Sequence, residues 1–186
     1  ETAIFNLLRW TNPKNNCKGS QDLAKYHVYY ADTEGGQFLK IATITTINDT
    51  ILSHQNVVNH SVAGCYYITA LDSVGNESLR SNVICMDNCP YYLLPNAFTP
   101  NGDGDNELFK PMNLRFIAKV EFKVFNRWGQ LVFETDNPLL NWDGKNTKGD
   151  ALADGTYFYT CKVFEQRVSG AILSSKILSG YIEMIR

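Results

Sequence analysis

Residues 101–107 read Asn-Gly-Asp-Gly-Asp-Asn-Glu. Asn101, Asp103 and Asp105 fall at i, i+2 and i+4, with Gly102 and Gly104 between them and Glu107 following. Oxygen-bearing side chains alternating with glycine are how a calcium loop begins, because a tight turn can converge several oxygens on one ion at about 2.4 Å. Asn101, Asp103, Asp105 and Glu107 are therefore a candidate Ca²⁺ set. The stretch lacks the length and flanking helices of an EF-hand. The same residues equally suit a run of Asx turns, with side chains bonding their own backbone. In either case Ala97-Phe98 before the loop and Leu108-Phe109 after it are apolar anchors, so the loop belongs to a folded module.

No other group of residues points to chemistry. The cysteines are Cys17, Cys65, Cys85, Cys89 and Cys161, and no pair has CxxC spacing. His27, His54 and His60 are not grouped with them, which argues against a zinc site. Four of the five cysteines lie in the first half, a pattern that favours disulfides in an exported protein, and the odd count leaves at least one thiol over. Asp22, Asp32 and Asp49 are scattered in turns, where Asp is common for backbone reasons. His54 and His60 flank a polar loop and read as surface residues. No nucleophile–base pair emerges, so the chain is expected not to be an enzyme.

The charge balance narrows the class further. Lys plus Arg number 17 against 19 for Asp plus Glu, a formal charge of −2. Neither a nucleic-acid partner nor an anionic membrane is indicated. No stretch approaches the ~20 apolar residues of a membrane span. The opening "ETAIFNLLRW" has no basic start or small-residue cleavage site and begins with Glu, so a piece of a longer chain is expected.

The segments that must position these residues read as strands. "KYHVYYA", "FLKIATI", "CYYITAL", "VEFKVFN", "LVFET", "GTYFYTCKVF" and "GYIEMI" are rich in β-branched and aromatic residues and are bounded by Gly, Asn, Asp and Pro. No segment carries a capped helical period. The expected fold is all-β: two tandem β-sandwiches, divided near Tyr92 in "MDNCPYYLLPN" into residues 1–92 and 93–186. Each half, at about 93 residues, suffices for one seven-stranded sandwich.

In the first half, "YHVYY" puts Tyr26, Val28 and Tyr30 on one face, and "GCYYITALDSVGNESLRSNVIC" reads as a hairpin with Tyr66, Ile68 and Ala70 on one face. Trp10, the Tyr-rich strand and "YYITALDSVGNES" together resemble a fibronectin type III domain, which implies a spacer or binding module. A regular hairpin centred on Gly75 sets Cys65 opposite Cys85 and Tyr67 opposite Val83. A Cys65–Cys85 disulfide is the first choice, Cys85–Cys89 the second and a Cys17 pairing the third, with reduced, buried thiols the remaining alternative. "DTI" at 49–51 and "DSV" at 72–74 resemble the O-glycosylation triplet of Bacteroidetes exported proteins, with Thr50 and Ser73 as acceptors; ordinary turn and strand chemistry accounts for them as well.

In the second half four motifs follow in order: "LPNAFTPNGDGDNELFKP", "VEFKVFNRWGQLVFET", "NWDGKNTKGDALADGTYFYTCKV" and "LSGYIEMIR". Val120, Phe122 and Val124 point one way and Glu121 and Lys123 the other, while Tyr157, Tyr159, Cys161 and Val163 share a face. Gly129 in "NRWGQ" is free to take positive φ. Trp142 is expected at a sandwich edge. Together these motifs resemble the gliding-motility-associated C-terminal domain of the Bacteroidetes, the type B sorting signal of the type IX secretion system; the "WDGK" and "DGTY" segments are also similar to the Ig-like domain of flagellar hook-capping proteins. The resemblance implies a β-sandwich that the outer-membrane type IX translocon and a PorP/SprF-like partner recognise, in a monomer whose cargo passes through the periplasm to the cell surface or the medium. Its candidate recognition residues here are Arg127, Trp128 and Gly129, then Trp142, Asp143 and Lys145, and the terminal Arg186. Relatives pair a cysteine near position 152 with the one at 161; here Leu152 stands there, which leaves Cys161 a buried free thiol. An adhesive or glycan-binding surface module is the alternative function.

Overall fold

The computed structural model describes residues 5–15, 22–55 and 61–186. Cys17, with any pairing it makes, and His60 lie outside the described residues. The chain forms two compact units: Glu1–Asn88 together with Val168–Gly170, and Cys89–Arg167 together with Ala171–Arg186. The expected division near Tyr92 falls inside a strand of the second unit, Tyr91–Leu93. Among the described residues the architecture is all-β apart from a 3-10 turn at Pro13–Asn15.

Among the described residues the first unit holds the strands β1 (Asn6–Arg9), β2 (Leu23–Ala31), β3 (Leu39–Ile44), β4 (Ile51–His54), β5 (Gly64–Asp72) and β6 (Ile84–Met86). β1 pairs with β4, and the others form a four-stranded antiparallel sheet in the order β3-β2-β5-β6. Tyr26, Val28 and Tyr30 of β2 stand opposite Ala70, Ile68 and Tyr66 of β5, so the two apolar rows share a face. Trp10 packs edge-on against Tyr26, with ring centroids 5.5 Å apart. Tyr66 accepts a hydrogen bond from Asn6 Nδ2 at 2.9 Å, and its hydroxyl lies 2.8 Å from His54 Nδ1. His54 is therefore half-buried in β4 rather than a plain surface residue, and that burial lowers its pKa.

Cys65 faces Cys85 across the β5–β6 ladder, and the two form a disulfide. The hairpin is less regular than its sequence suggests. No ladder joins Tyr67 to Val83, because Ser78 and Ser81 replace it. Each serine N–H donates to a β5 carbonyl, of Ala70 and Ile68, and each hydroxyl oxygen accepts the N–H of the same residue. The side-chain oxygen takes the place of a strand carbonyl, so β6 begins only at Ile84.

The second unit holds β7 (Tyr91–Leu93), β8 (Ala97–Phe98), β9 (Asn113–Arg115), β10 (Ile117–Phe125), β11 (Leu131–Thr135), β12 (Gly155–Arg167), β13 (Gly170–Leu173) and β14 (Leu178–Met184). Its main sheet runs β11-β10-β12-β14-β8, antiparallel except where β8 lies parallel to β14. β7 and β9 pair separately. The alternation in β10 and β12 sends Val120, Phe122, Val124, Tyr157, Cys161 and Val163 into one core. Phe109 and Trp142 cover that face, joined by reciprocal backbone hydrogen bonds of 2.8 and 3.2 Å.

Trp142 is fully buried rather than at an edge, and its ring contacts Phe98, Phe109, Phe133 and Tyr157. The chain enters this position through Leu140 and Asn141, both left-handed with φ of 60° and 53°. Left-handed backbone costs a non-glycine residue about 1–2 kcal/mol. Burial of the Leu140 and Trp142 side chains offsets that strain.

Candidate functional site

The loop at 99–107 spends its oxygens on itself. Asn101 Oδ1 accepts the N–H of Asp103, Asp103 Oδ1 accepts the N–H of Asp105, and Glu107 Oε1 accepts the N–H of Gly104, at 2.8–3.1 Å. Asn101 Nδ2 donates to Asp103 Oδ2 at 2.9 Å. The Asp105 N–H and the Asn101 amide hold the Asp103 carboxyl below its ordinary range. This is a chain of Asx turns, not a cage converging on a point. Among the described residues no three His, Cys, Asp or Glu side chains are grouped to hold a metal ion.

Three five-residue turns repeat one construction: Asp72–Asn76, Asn126–Gln130 and Asn146–Asp150. In each, the first residue's Oδ1 accepts the N–H groups of the third and fifth residues. The fourth residue is a glycine with positive φ: 96° at Gly75, 79° at Gly129 and 89° at Gly149. Its N–H returns to the carbonyl of the first. A side-chain bond between the first and fifth residues closes each turn. The side chains of the second and third residues carry none of this geometry. They are Ser73-Val74, Arg127-Trp128 and Thr147-Lys148. Ser73, an expected glycosylation acceptor, thus sits exposed at a turn apex, and Thr50 is half-buried just before β4.

The candidate recognition residues separate into two kinds. Trp128 is 75% exposed, and the Arg127 guanidinium lies 4.2 Å over its ring centroid. Trp142 is a core residue instead, so its ring cannot meet a partner; its indole N–H donates to the Lys145 carbonyl at 2.8 Å and holds the turn that follows. In that turn Asp143 accepts the Lys145 N–H and pairs with Nζ at 2.6 Å. Burial pushes the Asp143 carboxyl up, but the bonds and charge of Lys145 outweigh it and leave the net shift downward. Gly144 is required here: a Cβ would stand 2.6 Å from Met184 Sδ.

Arg186 joins this end of the domain. Its Nη1 donates to the Leu152 carbonyl at 2.8 Å and pairs with Asp154 at 2.6 Å. Asp154 and Thr156 in turn line a shallow cleft of about 160 Å³ with Arg127 and Trp128. The structure therefore brings Arg127, Trp128, Gly129 and Arg186 to one end, with the Asp143–Lys145 turn beside Arg186.

One feature escaped the sequence reading. On the outer face of the main sheet, Leu131, Phe125, Phe158 and Tyr181 are cross-strand neighbours on β11, β10, β12 and β14. Leu131, Phe158 and Tyr181 are exposed and Phe125 half-buried. The alternation that put Tyr157 and Tyr159 in the core carried the signal, because it leaves Phe158 on the other side. In the first unit an open groove of about 590 Å³ runs beside Trp10, Tyr26, Ile68 and Leu79; Ser78 and Ser81 line it, with their hydroxyls engaged by backbone N–H groups.

Residues 92–182 match the family model described as CHU_C, the type IX secretion signal domain. The recognition of the second half on its motifs thus stands on an independent comparison. A type IX secretion signal implies interaction with the secretion machinery and export to the cell surface or the medium. Among the described residues no helix is long and apolar enough to cross a membrane. No curated protein matches the chain. Two solved structures are similar. The FN1-FN3 domains of chicken CNTN1 show 12% identity and a TM-score of 0.31 over 95% of this chain and 59% of that one. The fibronectin(III)-like modules of Clostridium thermocellum CbhA show 16% identity and a TM-score of 0.27 over 91% and 82%. The chain thus spans about three-fifths of the CNTN1 chain.

Proposed function

We propose that the second domain is the address by which a larger exported protein of a Bacteroidetes cell is handed to the type IX apparatus. The cargo crosses the periplasm, and an outer-membrane translocon with a PorP/SprF-like partner receives it. The first domain is a spacer between cargo and address, and neither domain is catalytic. The observation that carries this reading is the family match across residues 92–182. A self-contained core supports it, since Phe98, Phe109, Phe122 and Trp142 pack within one unit. An address read as a folded body needs such a core to hold its surface in shape.

The test is export of a fluorescent reporter bearing a Sec signal and residues 1–186, in a host with a working type IX system. The reading expects fluorescence at the surface or in the medium, lost when the machinery is deleted or the fusion stops at Asn88. Export of the version that stops at Asn88 would overturn it.

A further inference from the structure

We propose that the Asn126–Gln130 turn presents Arg127 and Trp128, together with the row Leu131, Phe125, Phe158 and Tyr181, as the docking face for an export-machinery protein that offers a carboxylate beside an apolar pocket. This deepens the sorting reading and rests on it.

The argument starts from the three sister turns. Two of them are built with Ser-Val and Thr-Lys at the apex, so the backbone does not ask for Arg-Trp there. An indole 75% exposed at a hairpin tip loses the burial that usually rewards a tryptophan. Its place at the tip is explained by a partner, not by folding. Trp and Arg are also the residues that most often dominate binding energy at protein interfaces.

The charge pattern names the partner's chemistry. Lys123, Lys162 and Arg186 each have a carboxylate of this domain, Glu134, Glu121 and Asp154. Arg127 has no carboxylate partner among the described residues; like Arg115 over Phe116 and Lys119 over Phe164 it lies over an aromatic ring, but its ring, Trp128, is 75% exposed while the other two are half-buried. An unpaired cation beside exposed aromatic surface is complementary to an anion set in an apolar surround. The row starts where the turn ends, because Leu131 follows Gln130 directly and pairs with Phe125. Contiguous exposed apolar surface of this kind marks an interaction site.

The test uses the same reporter fused to residues 1–186. Replacing the apex by that of its sister turn, Arg127→Thr with Trp128→Lys, keeps a sequence this chain already folds into the same turn. Export should fall about tenfold or more for this variant, for Trp128→Ala and for Arg127→Glu, and less for Arg127→Lys. Phe158→Thr, on the sheet rather than the turn, should also reduce it. Lys148→Ala, at the sister apex, should export like the parent. Thermal unfolding of each purified chain should match the parent, which separates lost docking from lost fold. Normal export of the apex swap and of Phe158→Thr would overturn the docking face while leaving the sorting reading intact. Failure of the unsubstituted fusion to leave the periplasm would overturn the sorting reading, and this proposal with it. Wild-type retention on insoluble polysaccharide, lost on Trp128→Ala while export persists, would assign the face to glycan instead.

Discussion

Trp142 donates its indole N–H to the carbonyl of Lys145, 2.8 Å away, while its ring packs on four aromatic neighbours. One side chain thus links the core to the surface turn whose Gly144 carbonyl accepts the Leu152 N–H, while the Leu152 carbonyl accepts from Arg186. Trp142→Ala removes both roles and is expected to cost the second domain about 3–5 kcal/mol. Trp142→Phe keeps most of the packing and loses the hydrogen bond, so a smaller loss is expected. Urea unfolding followed by circular dichroism separates the two, since that signal does not depend on the tryptophan being replaced.

The sister turns make a matched set. Asn126→Ala or Asn146→Ala strips the acceptor from two backbone N–H groups and should cost about 1–3 kcal/mol, at roughly 0.5–1.5 kcal/mol per hydrogen bond. Asn126→Asp should be nearly neutral, because Asp72 already holds the same turn. Gly129→Ala should destabilise through its φ of 79°. Thermal melts of the four variants check the ranking.

The Cys65–Cys85 bond closes a separation of 20 residues. In the chain-entropy model its loss costs about 3 kcal/mol. The pair of substitutions Cys65→Ser and Cys85→Ser should lower the urea midpoint of the first domain's transition by a corresponding amount and leave that of the second unchanged. A midpoint shift confined to the second domain would contradict the assignment.

Burial pushes the Cys161 thiol up to about 12. At pH 8 its thiolate fraction is then roughly one in ten thousand, against about a quarter for an ordinary thiol near 8.5. Cys89 is free and exposed, so a maleimide or disulfide reagent should label it promptly and reach Cys161 only on unfolding. The raised value also fixes a sign. The folded domain favours the neutral thiol, so this contribution is intact below the unfolded value near 8.5 and is lost as pH climbs towards 12. Cys161→Ala should flatten the alkaline limb of the stability curve of the second domain.

Much of this was legible in residue order because strand alternation and Asx–glycine turns are local rules. Val120, Phe122 and Val124 showed their facing without any partner, and the pairing of Cys65 with Cys85 followed from one turn centre at Gly75. Trp142 was misplaced because its depth depends on two left-handed residues, Leu140 and Asn141, neither of which advertises that conformation. Ser78 and Ser81 broke the hairpin for a related reason: whether a serine hydroxyl replaces a strand carbonyl depends on where the facing N–H of Ala70 or Ile68 across the hairpin points. The acidic loop kept both its readings until the direction of each oxygen was known. The outer row needed register across four strands, which no single segment contains.

β14 lies inside the main sheet, with β12 on one side and β8 on the other. A polypeptide interrupted anywhere before Leu178 leaves both neighbours with bare edges, so the domain matures only after synthesis has passed that point. A receptor that inspects the finished shape would then pass over prematurely terminated cargo, making the label a certificate of completeness as well as a destination.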